Sequence, residues 1–348
     1  MAGCCENDQP LSPGGGRSLV IALAGNPNCG KSALFNAFTG IRQKTGNWPG
    51  VTVDRKEGRF ELDECKVTAI DLPGIYSLDA SSLDEKVTRD YLLSREANLI
   101  VNVIDAGNLE RNLYLTVQLL EMGVPLVVAL NMMDVARKRG IQIDAEKLAT
   151  ELGCPVVPVV AVTGEGLTEL KARMLAVATE QERGGFSLAH DEVVEQALLE
   201  LDGLLDEPDN ANRRWLALKL LEDDDYARAL APQAALERTE QLHRHIEQRS
   251  GEETDVLILD SRFGHAHSVA NGVLRQRGRI GHTLSDRIDR LVLNRMLGIP
   301  VFLVVMYLMF LFPINIGGAF IAFFAGVAGS LFVGGFGELL TCWGCLDL

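Results

Sequence analysis

The sequence has no paired-cysteine framework, no basic excess and no basic leader ahead of an apolar run. Its seven cysteines (Cys4, Cys5, Cys29, Cys65, Cys154, Cys342 and Cys345) are scattered and odd in number over 348 residues. That excludes a disulfide-stapled domain and fits a reducing compartment. With 33 basic against 47 acidic residues the net charge is -14. Such a balance works against nonspecific nucleic-acid binding, which needs Lys and Arg to neutralise phosphates. No secretory signal pattern is present, and residues 1–17, rich in Gly, Pro, Ser and acidic residues, read as a disordered lead. Charge is itself missing from one stretch: 42 uncharged positions separate Arg295 from Glu338. Ile299–Ile316 is long enough to cross a bilayer as a helix, and Gly317–Phe336 would cross again or lie re-entrant. Arg287, Arg290 and Arg295 precede it, so the N-terminal side is expected to face the cytoplasm.

Residues 18–180 alternate short apolar runs with amphipathic stretches. Leu19–Ala24, Val67–Ile70, Leu99–Ile104, Pro125–Leu130 and Val156–Val160 are predicted strands. Ser32–Phe38, Leu109–Met122, Ala145–Leu152 and Leu167–Ala178 are predicted helices. This rhythm argues for a mostly parallel sheet covered on both faces, with ligands at the carboxyl ends of its strands. Residues 181–186 read as a linker. Residues 187–275 show helical spacing without strand signals, as in Val194, Ala197, Leu198 and Leu201, and form a predicted all-α domain. Residues 276–298 would link it to a transmembrane segment at 299–337.

Gly25-Asn26-Pro27-Asn28-Cys29-Gly30-Lys31-Ser32 fits the phosphate-binding pattern G-x-x-x-x-G-K-[ST], between a predicted strand and a predicted helix. Backbone amides from Gly25 to Ala33 would wrap phosphates, Lys31 would reach the β- and γ-phosphates, and Ser32 would bind Mg2+. Asp71-Leu72-Pro73-Gly74 ends the second strand. Asp71 there would hold Mg2+ and Gly74 would approach the γ-phosphate. Asn131-Met132-Met133-Asp134 follows a third strand, where a carboxylate can accept from guanine N1–H and the exocyclic amine. Each short motif is weak alone. Their order, each at a strand end, predicts a nucleotide-binding domain.

The motif set resembles the translation-factor-like class of small G-domain GTPases, a Ras-like fold with a mostly parallel six-stranded sheet. Asn47-Trp48-Pro49-Gly50-Val51-Thr52-Val53 looks like switch I of the FeoB family of bacterial ferrous-iron transport proteins. Asp71–Leu78, Asn131–Asp134 and Ser285–Arg290 running into Leu297–Pro300 are similar too, so the resemblance covers about residues 18–335. It implies a cytosolic G domain, a helical domain that stabilises bound GDP, and an inner-membrane domain implicated in Fe2+ uptake. It also implies roles for Gly50, Val51 and Thr52 in switch I, with Thr52 on Mg2+ in the GTP state. Asn28 would support K+-stimulated hydrolysis, and Ala161, Val162 and Thr163 would border the guanine. Lys31, Thr52 and Gly74 are the residues expected to act on the γ-phosphate. FeoA- or FeoC-like small proteins, the lipid bilayer and a second copy of the chain are the implied partners besides Fe2+. There are departures. The family's membrane domain is far larger, Ala161–Gly164 lacks the common Ser-Ala, and Ala322 and Ala325 stand where relatives carry acidic residues.

The position after D-x-x-G, glutamine in many signalling GTPases, is Ile75, so intrinsic hydrolysis is expected to be slow. Trp48 reads equally as a moving switch residue or a core anchor. The acidic run Glu222–Asp225 reads as a solvated helix end sooner than a cation site. His243 and His245 fall on different faces of a predicted helix, and His265 and His267 fall in a loop-like stretch. Surface or structural roles are favoured for all four. Cys342 and Cys345 cannot complete a four-ligand site alone. An anchored GTP switch that transports nothing is the competing function, and an RNA-assembly GTPase is disfavoured by the acidic balance.

Overall fold

The computed structural model describes residues 18–40, 43–48, 51–63, 65–79, 82–180, 186–205, 210–276 and 298–330. The expectations for residues 1–17, Gly50, the linker at 181–185, the segment 277–297 and Cys342 and Cys345 lie outside them. The chain divides into two units, 1–279 and 280–348.

In the first unit, β1 (Ser18–Gly25) leads into α1 (Lys31–Thr39), followed by β2 (Gln43–Asn47), β3 (Asp54–Leu62), β4 (Cys65–Asp71) and α2 (Leu83–Leu93). Then come β5 (Leu99–Asp105), α3 (Leu109–Glu121), β6 (Leu126–Asn131), α4 (Met133–Lys138), β7 (Gln142–Ile143), α5 (Ala145–Leu152), β8 (Val156–Pro158) and α6 (Leu167–Glu180). Among the described residues the sheet has seven strands in the order β2-β3-β4-β1-β5-β6-β8, one more than expected. The extra edge comes from β2 and β3, which pair antiparallel with each other, while β3 pairs antiparallel with β4. Their sequences, QKTGN and DRKEGRFEL, are mostly polar. An edge hairpin with one solvated face needs no apolar run, so periodicity did not reveal it. The inner strands pair parallel.

Alternate residues of the parallel strands enter two separate cores. Ile21, Leu23, Val101, Val103 and Val127 pack against Leu34, Phe35 and Phe38 of α1 and Leu170 and Met174 of α6. Ala22, Ala24, Ile100, Ile104, Val128 and Leu130 point the other way, toward Leu113 and Leu120 of α3 and Leu148 and Leu152 of α5. Burying one such side chain contributes about 1.5–3 kcal/mol. The two-period alternation of Cβ directions explains why near-continuous apolar strands serve both layers.

The helical layer comprises α7 (Glu192–Asp202), α8 (Asn210–Leu221), α9 (Asp225–Leu230), α10 (Gln233–Ser250) and α11 (Thr254–Val273), closed by β9 (Leu274–Gln276) on β7. Phe186, expected in the linker, packs edge-on against His265 at 5.5 Å between ring centroids. His265 and His267 lie on α11 and not in a loop. His267 Nδ1 is 2.8 Å from Glu110 Oε1. Helical hydrogen bonding there tolerates Gly264, which weakens helix propensity enough to mask the pattern.

Among the described residues Arg262 is the largest fully buried side chain, and it joins α11 to α3 and to Glu222 just past α8. Its Nε donates to Glu121 at 2.8 Å and its other nitrogens donate to Glu222. Lys219 Nζ also reaches Glu222, at 3.0 Å. Burial alone would raise both carboxyl groups, but Arg262, with His190 for Glu121 and Lys219 for Glu222, holds them below the usual range. Glu222 is therefore not the solvated helix end expected of the acidic run. Asp224 caps α9 and pairs with Arg89 at 2.8 Å, and Asp223 pairs with Arg228 at 2.7 Å.

In the second unit, α12 (Gly298–Ala328) is a single 31-residue helix with Pro313 inside it. The helix runs unbroken through Gly317 and Gly318, since an interior glycine costs only about 1 kcal/mol against alanine. Ile299, Phe302, Leu303, Phe320 and Ile321 are exposed. Among the described residues no helix is long and apolar enough to cross a membrane. The side chains at 312, 315, 316, 319 and 322 lie outside the description.

Candidate functional site

Gly25, Asp71 and Asn131 are the last residues of β1, β4 and β6. Register pairs Leu23 with Asp71, Gly25 with Val103, and Asp105 with Asn131, so these ends form one edge. The three motif loops meet there.

The first loop turns through Gly25 and Gly30 into α1. Gly30 sits at φ 88, and a Cβ there would collide with Nδ2 of Asn131; a Cβ on Gly25 would collide with the Val103 carbonyl. Both positions therefore exclude any side chain. Asn28 is exposed at φ 65. Lys31, in the first turn of α1, is buried and its Nζ donates to Asp71 Oδ1. Ser32 is exposed beside it. The α1 amino terminus carries no acidic residue in its first turn, which leaves its positive end unopposed. Burial pushes the Cys29 thiol up to about 11, against the lowering effect of the Lys31 backbone amide. Asn26 is buried, with Nδ2 donating to the Arg111 carbonyl at 3.4 Å and Oδ1 unpartnered.

The second loop lies against the first. The Leu72 amide donates to the Leu23 carbonyl at 3.1 Å and the Ile75 amide to the Gly25 carbonyl at 3.3 Å. Ile75 is buried. Pro73 and Gly74 are half-buried, Gly74 close against Pro27.

The segment expected as switch I closes on itself. The Trp48 amide donates to Val53 at 2.9 Å and the Val51 amide to Trp48 at 3.2 Å. Trp48 is buried, edge-on to Tyr91 at 5.2 Å, with the Arg55 guanidinium 4.6 Å from its ring. Of its two readings, this is the core anchor. Thr52 is exposed.

The third loop starts at Met132, left-handed at φ 61, which turns the chain sharply into α4 and puts Asp134 in its first turn. Asn131 Nδ2 donates to the Cys29 carbonyl at 3.0 Å, and its Oδ1 accepts from the Ala161 amide at 3.0 Å. Val162 and Thr163 continue this turn on the surface. Asn131 thus ties the phosphate loop to the Ala161–Thr163 turn.

The donor set suits a magnesium–nucleotide pair. Ser32, Thr52 and Asp71 offer hard oxygens, and Lys31 already touches Asp71. Sequence reading missed Asp105, whose carboxylate holds the Gly107 amide at 2.7 Å and Asn108 at 2.6 Å beneath this edge. It also missed Arg111. Neither belongs to a short motif, so only their contacts across the fold show them.

Two family models match: "Ferrous iron transport protein B" over residues 19–174 and "FeoB cytosolic helical domain" over 190–275. A mutant NFeoB of S. thermophilus bound to mGDP superposes with a TM-score of 0.69 at 38% identity, covering 74% of this chain and 99% of that one. This chain belongs to the FeoB family. The cytosolic domain of L. pneumophila FeoB superposes with a TM-score of 0.65 at 39% identity, over 74% of this chain and 100% of that one. The Fe(2+) transporter FeoB of Salmonella typhimurium is 43% identical over 325 residues, 92% of this chain. The chain spans 42% of that FeoB's length. The FeoB fold of a P-loop G domain followed by a helical domain is the one described above.

Proposed function

We propose that this chain binds GTP and GDP and hydrolyses GTP, as the nucleotide-handling portion of a ferrous-iron transporter in the bacterial inner membrane. The observation that carries the reading is the junction at Asn131. It joins the phosphate loop to the turn beside the base, while Asp134 lies in the first turn of the next helix.

The reaction is phosphoryl transfer from GTP to water. Backbone amides of Asn26–Ala33 and the Lys31 ammonium bind the β- and γ-phosphates, and the Gly74 amide faces the γ-phosphate. Asp134 accepts from the guanine N1–H and exocyclic amine, and adenine leaves that carboxylate unpaired. Ser32, Thr52 and Asp71 would hold Mg2+, which when bound offsets phosphate charge. Val51, whose amide donates to the Trp48 carbonyl at 3.2 Å, precedes Thr52 in the chain. Asn28 is the residue that would hold K+. Ile75 is buried and carries no hydrogen-bonding side chain, so water is oriented by backbone groups alone and turnover is slow.

The uncharged run at 296–337 supports membrane insertion of α12. At about 1.5 Å per residue its 31 residues reach about 46 Å, beyond the ~30 Å hydrocarbon core. The G and helical domains then lie on the cytoplasmic side. Fe2+ is the cargo, and FeoA- or FeoC-like proteins and a second copy are the partners this reading admits.

The test is binding of labelled GDP and GTP with magnesium, followed by single-turnover hydrolysis in KCl and in NaCl. Micromolar binding and faster hydrolysis in KCl are expected. No guanine-nucleotide binding would end the whole reading, and equal rates in the two salts would remove only K+. For transport, Fe2+ uptake by cells carrying the whole gene should fall with Asp134→Asn.

A further inference from the structure

We propose that Arg111 is a positioning residue for the loop after Asp71 and that it acts through the ring of Tyr76. The inference rests on the hydrolytic reading above, because that loop is the one placed at the γ-phosphate.

The guanidinium carbon of Arg111 stands 4.4 Å from the Tyr76 ring centroid. Tyr76 is two residues past Gly74 and is 44% exposed. A large aromatic ring held at the surface by a planar cation gains a quadrupole attraction and shields its own face. The same residue also touches the other phosphate-facing loop. Its main-chain carbonyl accepts from Nδ2 of buried Asn26, next to Gly25, at 3.4 Å. One residue of α3 therefore contacts both loops, by its backbone on one side and its side chain on the other.

Arg111 is well placed to transmit force because the start of α3 is anchored. Asn112 Oδ1 accepts from the Asp105 amide at 3.3 Å, and its Nδ2 donates to the Asn108 carbonyl at 2.9 Å. Leu109 and Leu113, on either side, are buried. The Gly74–Ile75 backbone in turn rests on Gly25 through the Ile75 amide. Release of the Tyr76 ring would free the residues immediately after Gly74 and leave the phosphate loop intact. The expected effect falls on turnover and not on nucleotide affinity.

The experiment compares Arg111→Ala, Tyr76→Leu, the double variant and Tyr76→Phe, which keeps the ring. It reads amide hydrogen exchange over residues 74–78 and, separately, single-turnover hydrolysis and GDP affinity. An exposed cation–π contact is worth about a two- to five-fold change. Exchange should quicken and turnover slow by about that factor in each single variant, with GDP affinity unchanged. The double variant should be no worse than either single, and Tyr76→Phe should restore both readouts. Unchanged exchange in Arg111→Ala, additive losses in the double variant, or an effect on affinity alone would overturn the proposal. If exchange responds as stated but the wild-type chain hydrolyses no GTP, the positioning stands and the hydrolytic reading falls.

Discussion

The carboxamide of Asn131 donates to the main-chain carbonyl of Cys29 at 3.0 Å, across 102 residues of sequence. The contact is possible because Gly30, next to Cys29, has no Cβ to collide with Nδ2 of Asn131. Asn131 is itself buried, and its oxygen takes the Ala161 amide. A side chain usually read as part of a base-recognition motif is thus the fastening between three loops.

Replacing Asn131 by alanine should therefore cost stability before any nucleotide is added. It removes two hydrogen bonds and leaves a buried carbonyl and amide unpaired, about 2–4 kcal/mol together. Urea denaturation without ligand should show the loss, and the GDP dissociation constant should rise as well. An unchanged midpoint would mean the three loops hold their places without this side chain.

Asp134→Asn should alter which base is accepted. The amide cannot receive two donors from guanine, so GDP should weaken by about a hundredfold or more. Xanthosine diphosphate, whose C2 carbonyl can accept from the new amide, should gain. Titrating both nucleotides into the two proteins decides it, and equal losses for both bases would point to a folding defect.

Arg262→Met should destabilise the first unit by about 3–5 kcal/mol, because buried Glu121 would lose its guanidinium partner and Glu222 would keep only Lys219. In the native protein both carboxyl groups titrate below their ordinary 4.5. Their contribution is present above that value and is lost as pH falls through the lower folded values. The wild-type protein should therefore lose stability steeply below about pH 4.5. The variant, whose carboxyl groups rise instead, should show a shallower acid limb. Denaturation midpoints from pH 7 to 3 provide the comparison.

Cys29 sits in the phosphate loop yet should behave as an inert thiol. Burial puts it at about 11 and Cys154 at about 12, so both are protonated at pH 8. Peptide-level mass spectrometry after brief alkylation should find both unlabelled in the native chain and labelled in urea. Rapid native labelling of Cys29 would show that the loop opens far more often than its hydrogen bonds suggest.

The alternation of Leu19–Ala24, Leu99–Ile104 and Pro125–Leu130 with helical patterns was sufficient to read the parallel sheet. The three short motifs were legible because backbone chemistry confines them to a few residue types at fixed spacing. β2 and β3 were not legible, since an edge hairpin with charged residues on its open face carries no apolar signature. Arg262 was equally hidden. A lone arginine in a helix reads as surface until Glu121 and Glu222, distant in sequence, are brought around it. Local order and local spacing determined the Gly25–Ser32 loop and the place of Asp134 at the end of the third motif, because those depend on neighbours along the chain. Only the tertiary structure decided that Asn131 clasps Cys29, that Arg111 faces Tyr76 and that Trp48 is an anchor. Each of those needs strands and helices from separate parts of the sequence to be packed side by side.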